Sequence, residues 1–221
     1  MNLTLSEKLL LLSIHPEKGG YYFSTAGARD YALAGALLIE MEEAGCLKFD
    51  GDRIVGQPVR TSSSLYDYLL GRILASSKPR KIGYWLSSAG ISKAQARKSV
   101  LQSLVTKHEV KMVDRHFLFF SWKIPFLQTG NSVNRLSAGL RRIIYKVPDE
   151  TEDILLLTLL EPAQLIRRVF PDRKQHRMVR DKIKLLQTGS QVPEAVRTAI
   201  RSAAAVTVAV SAGVAAAARG R

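Results

Sequence analysis

A chain of 221 residues and 24.5 kDa suits one large domain or two small ones, and its 46% apolar content supports a sizeable core. A formal net charge of +14 and a pI of about 10.1 call for an anionic partner (nucleic acid, acidic lipid or acidic protein) without choosing among them. One cysteine, Cys46, excludes an internal disulfide framework and fits a reducing compartment.

In chain order, the opening MNLTLSEK lacks a basic stretch followed by an apolar run and a cleavage site, so no signal peptide is expected. Thr4 and Glu7 are spaced as a capping box ahead of a first helix over residues 9–14, which Pro16 and Gly19-Gly20 end. Residues 26–44 form a second helix stopped by Gly45. Leu33, Ala34, Leu37, Leu38, Ile39 and Met41 make it apolar nearly all round, the pattern of an enclosed central helix. Residues 46–49 and 53–55 pair as a small hairpin about Asp50-Gly51-Asp52. A helix over 65–75, capped by Ser64 or a neighbour, precedes a basic breaker, Lys78 to Lys81. Residues 82–88 are a further helix that buries Tyr84 and Trp85, closed by Gly90.

Residues 92–120 are the most informative stretch. Ser92 with Gln95 fits a capping box, and Val100, Leu101, Leu104 and Val105 give the helix it opens a buried stripe. The opposite face carries Lys93, Arg97, Lys98 and Lys107. Residues 110–113 and 117–120 read as strands about a charged turn at Asp114-Arg115. Phe117, Leu118, Phe119, Phe120 and Trp122 do not alternate, so an apolar face must lie against something other than water.

A basic helix follows over 132–147, with Arg135, Arg141, Arg142 and Lys146. Asp149, Glu150, Glu152 and Asp153 suit the start of an apolar helix over 154–160. Pro162 sits near the first turn of a helix ending near Phe170, and Pro171-Asp172 opens a basic one that Gly189 ends. A last helix begins near Pro193. Its uncharged run, 202–218, is rich in Ala and short for a span, so it reads as a buried helix ahead of a membrane-spanning one. The expected fold is mainly α: a single domain over 1–221, with about ten helices around a buried central helix and two small β-hairpins.

Catalytic chemistry has no signature. His15, His108, His116 and His176 have no metal-ligand spacing, although His108 and His116 could meet across the hairpin. Nucleophile-elbow, P-loop and dinucleotide fingerprints are absent, and Glu42-Glu43 diverge on their helix, so no enzyme, metal or cofactor is expected. Three readings of the basic helix and hairpin remain. The order helix, basic helix, two-stranded wing suits a DNA reader, with Gln95, Arg97 and Lys98 toward bases or phosphates, but its wing is Phe-rich. A membrane binder would hold anionic headgroups on its basic residues and dip Phe117 to Phe120 and Trp122 into the interface. Alternatively, the apolar residues are core or homo-oligomer contacts and the charges a solvated face.

The segments LTLSEKLLLLSI, YALAGALLIEMEEAGCLKFD, LVTKHEVKMVDRHFLFF and ILLLTLLEPAQLIRRVF, in that order, resemble the Golgi phosphoprotein 3 family over nearly the whole chain. The resemblance implies a helical domain with a protruding hydrophobic hairpin. It also implies peripheral membrane binding through phosphatidylinositol 4-phosphate and an adaptor role toward membrane-protein cargo. The family's headgroup pocket uses a Trp, an Arg on the central helix, and two basic residues three apart before the hairpin. Here those positions fall at Thr25, Ala34, Ala94 and Arg97. Arg97 is retained, with Lys93, Lys98 and Arg29 as substitutes, and Phe117, Leu118, Phe119 and Phe120 match the inserting hairpin. That pattern implies a distant, bacterial-type member acting on the cytoplasmic face of a membrane.

Overall fold

A computed structural model describes residues 2–22, 26–87, 90–145, 151–188, 198–203 and 205. The first helix forms where its cap dictates. Thr4 Oγ1 accepts from Glu7 N, and Glu7 Oε2 accepts from Thr4 N at 2.8 Å, the two halves of the box ahead of α1 (Leu5–Leu12). Leu5 and Leu9 to Leu12 are buried, because neighbours cover α1 on several sides. An isolated bridge, Ile14 to Tyr21, closes the loop after it.

In α2 (Ala26–Glu43) residues 32–41 are all buried, and the helix packs against α1 and, later in the chain, α5 (Lys93–Thr106). Gly45 ends α2 at φ +71°, a conformation that a β-carbon would strain. The helix still buries one carboxylate. Glu40 accepts from Ser6 N at 2.5 Å, Ser6 Oγ at 3.0 Å and Tyr66 Oη at 2.8 Å, which ties α2 to α1 and to α3 (Ser64–Leu74).

β1 (Leu47–Asp50) and β2 (Arg53–Gly56) pair as expected, but β3 (Arg80–Lys81) adds a third antiparallel strand. The basic stretch expected as a breaker is therefore partly strand: Arg80 and Lys81 answer the unpaired backbone edge of Ile54 and Arg53. The cap of α3 is Ser63. In α4 (Ile82–Leu86), Trp85 is buried and Tyr84 is exposed, because consecutive helical residues face different directions.

On α5, Ala96, Val100 and Leu104 are buried at four-residue spacing, with Leu101 and Val105 half-buried beside them. Ser92 accepts from Gln95 N at its N-terminus. The chain continues through β4 (Val110–Phe117) and β5 (Phe120–Leu127) into α6 (Asn131–Ile143), α7 (Thr151–Leu159), α8 (Ile166–Val169) and α9 (Gln175–Thr188). Pro162 lies in a turn ahead of α8 rather than inside it, because Gln164 takes φ +57° and interrupts the helix. Residues 198–203 are helical, and Ala203 packs beside Gly35 of α2. Most of the Ala-rich run lies outside the described residues. Among those described, no helix is long and apolar enough to cross a membrane. The molecule is mostly helical with two small antiparallel sheets, and one cluster of buried apolar side chains links α1, α2, α5 and α7.

Burial pushes the Glu40 carboxyl up, against the downward pull of its hydrogen bonds from Ser6 and Tyr66. A raised folded-state value means that its stabilisation is fully present below the unfolded pKa and is lost as pH rises through the higher folded one. Glu40→Gln should therefore flatten the fall of stability as pH rises above the ordinary carboxylate range. Urea denaturation across that range checks this; equally steep profiles for both proteins would refute it.

Candidate functional site

The β4–β5 hairpin is longer than the sequence reading allowed, and its turn lies elsewhere. Eight backbone pairs run from Val110 opposite Leu127 to Phe117 opposite Phe120. Asp114 and Arg115 sit mid-strand opposite Lys123 and Trp122, so the tip is Leu118-Phe119 and not a charged pair. Cross-strand pairing decides this: Asp114 opposite Lys123 sets unlike charges beside each other, whereas a turn at 114–115 would leave the following apolar residues without this ladder. Leu118 takes φ +52° to close the turn. His116 stands opposite Ser121, while His108 precedes the strand, so the two do not meet.

From Phe120 onward the strand does alternate. Phe120, Trp122, Ile124 and Phe126 share one face, and Ser121 and Lys123 take the other. Leu118 is 80% exposed, Phe119 99% and Phe120 72%. The side chain of Phe117 lies outside the described residues. At the base, Gly20 N donates to Pro125 O at 2.7 Å, and Phe126 lies so close over Gly19 that a β-carbon there would clash with its ring.

The same loop leads to a cationic cluster. Tyr21 follows Gly20, and the guanidinium of Arg29 lies 4.1 Å from the centre of its ring. Asp30 bridges two cations: Arg29 Nε donates to Oδ1 at 2.9 Å, and Arg97 Nη1 donates to Oδ2. Lys93, one helical turn before Arg97, sits 4.5 Å from the centre of the Tyr31 ring. Burial pushes the Lys93 ammonium down, with Asp30 pulling it back up. Burial also raises the Tyr21 phenol to about 12, opposed by Arg29 and Arg97, and its buried Oη has no hydrogen-bond partner among the described residues. The positive charge here exceeds what one carboxylate offsets.

Of the residues singled out from sequence, Arg29, Lys93 and Arg97 come together on α2 and α5, with Arg29 buried and Arg97 partly open. Lys98 is exposed on the next position of α5. Ala34 is buried, Ala94 exposed, and Thr25 outside the described residues. Asp30 and Tyr21 escaped the sequence reading. The available signal was an Arg-Asp pair opening an otherwise apolar helix, since a charge at such a place needs a partner.

A mostly helical body thus presents an apolar finger beside a cationic group. The model of the Golgi phosphoprotein 3 (GPP34) family matches residues 5–203, and the chain belongs to that family. Comparison with curated proteins gives no match.

Asp30→Asn would leave the buried Arg29 guanidinium without its carboxylate and should cost about 3 kcal/mol of stability, the scale for breaking a buried pair. Chemical denaturation measures this. A change below about 0.5 kcal/mol, the level of an exposed pair, would mean that Asp30 does not organise the cluster.

Proposed function

We propose that this protein is a peripheral membrane protein that docks on anionic phospholipid at the cytoplasmic face. In this reading Arg97, Lys93 and Lys98 meet headgroup phosphates, Arg29 holds Asp30 and Arg97 in place from below, and Leu118, Phe119 and Phe120 enter the interface with Phe117. The nearly complete exposure of Phe119, with Leu118 and Phe120 beside it, carries the proposal. Each such side chain is worth roughly 1.5–3 kcal/mol when removed from water. Each Lys or Arg near an acidic bilayer adds about 1 kcal/mol. The two contributions are separable, one salt-sensitive and one not.

Family membership supports a phosphoinositide-type headgroup, phosphatidylinositol 4-phosphate in particular, and an adaptor role in membrane-protein sorting without catalysis. The chain acts as one domain in this scheme. A winged-helix DNA reader fits less well, because the wing's apex is Leu118-Phe119 where phosphate contact needs cations. A second copy of this chain is another partner for the exposed tip, favoured by the same apolar surface.

Phe119→Asp should reduce sedimentation with acidic liposomes about tenfold, one lost apolar anchor. Arg97→Gln should reduce it several-fold at low salt and little at high salt. Unchanged sedimentation in both variants would refute the docking surface. Light scattering separates the self-association reading: there Phe119→Asp lowers the oligomer mass and leaves lipid binding alone.

At the turn, Leu118→Gly should stabilise the fold by about 1 kcal/mol, relieving the positive φ, while weakening liposome binding. A destabilised Leu118→Gly protein would show that the turn is not strained.

A further inference from the structure

A second basic site lies on the other side of the loop that carries Tyr21. Arg141 of α6, Arg167 and Arg168 of α8, and Arg180 of α9 line a cleft of about 620 Å³, with Tyr22 and Glu161 on its walls. Four guanidinium groups face one carboxylate there. That carboxylate is already engaged at its edge, 3.4 Å from Arg180 Nε, where both side chains are about half exposed.

The walls are built rather than incidental. Arg141 Nε donates to Val169 O at 2.7 Å, which fixes this guanidinium against the end of α8 where it lines the cleft. Arg168 lies 5.7 Å from the centre of the Tyr22 ring, and its Nε is buried with no hydrogen-bond partner among the described residues. An anion beside this guanidinium would offset the cost of holding its charge partly out of water. The positive φ of Gln164 sets the turn that brings α8 to this position.

We propose that this cleft is a second anion site that takes the phosphate monoester of a membrane lipid headgroup. Planar guanidinium forks match the oxygens of a terminal phosphate, which offers more acceptors and more charge than a phosphodiester. The volume admits more than a bare ion. The membrane source follows from placement: Tyr22 on the cleft wall is two residues from Gly20, which is bonded to the hairpin base at Pro125. This inference rests on the membrane reading above and deepens it.

Two kinds of phosphatidylcholine vesicle test it at matched surface charge. One carries phosphatidic acid, which displays a phosphate monoester; the other carries phosphatidylserine, which does not. Arg168→Gln should weaken binding to the first about tenfold, the value of one charge-assisted hydrogen bond, and leave the second within about twofold. Arg180→Gln, on an exposed stretch of α9, should act in the same direction and guards against misfolding at Arg168. Equal losses on both vesicle types, or no loss in either variant, would overturn the cleft and leave the membrane reading standing. Failure of the unmodified protein to bind either vesicle would overturn both. Inorganic phosphate that occupies the cleft of the unmodified protein, with no preference between vesicles, would make it a site for free phosphate and overturn the lipid assignment.

Discussion

The carboxylate of Glu7 fixes the frame on which everything else is placed. It is only 3% exposed, yet three donors converge on it. Thr4 supplies its backbone N–H and its hydroxyl supports the reciprocal half of the cap, while Ser103 Oγ and Lys107 Nζ reach it from α5, each at 2.6 Å. A helix cap and an interhelical clamp thus share one side chain. Because α5 carries both the basic residues and the strand that follows, the position of α5 against α1 sets where the cations and the finger emerge. Hydrogen bonds to both oxygens and a lysine partner are what make a buried carboxylate tolerable inside the core.

A second carboxylate, Asp30, performs the opposite task just beneath the surface. It draws Arg97 from α5 onto α2, 67 residues away in sequence, and so holds together cations that would otherwise repel. The cluster remains positive, but its charge is ordered rather than free. Tyr21 and Tyr31 complete the arrangement by presenting ring faces to Arg29 and Lys93, a way of packing cations against an apolar wall without further carboxylates. The loop from His15 to Tyr22 then joins this cluster to the hairpin base, with His15 Nδ1 accepting the backbone N–H groups of Glu17 and Lys18.

Features written in short-range spacing were legible before any coordinates. The Thr4–Glu7 cap, the apolar run of α2 and the buried positions Val100 and Leu104 all depend on residues within a few positions of one another. The hairpin turn was misplaced because Asp114 and Arg115 look like turn residues by type, whereas the ladder selected Leu118 and Phe119, types that turn chemistry disfavours. β3 was missed because two residues carry no periodicity and become strand only against the edge of β2. The Asp30 bridge and the arginine cleft bring together residues from separate helices, which no local pattern encodes. Arg97, Lys93 and Arg29 were nonetheless picked out together, because the family resemblance supplied the spatial relation that spacing alone lacked.

The length of the β-ladder limits the posture in which the finger and the charges could touch one flat surface together. Pro125, at the level of the cationic cluster, is five residues from Phe120, a rise of roughly 17 Å along the strand. That exceeds the screening distance of about 8 Å at physiological salt. A hairpin standing upright on its apex would hold the guanidinium groups too far off to feel the bilayer's charge. Tilted onto Phe120 and Trp122, the open part of its apolar row, it would bring the base closer to the plane of the apex, and the body of the protein would lean like a boat drawn onto a beach.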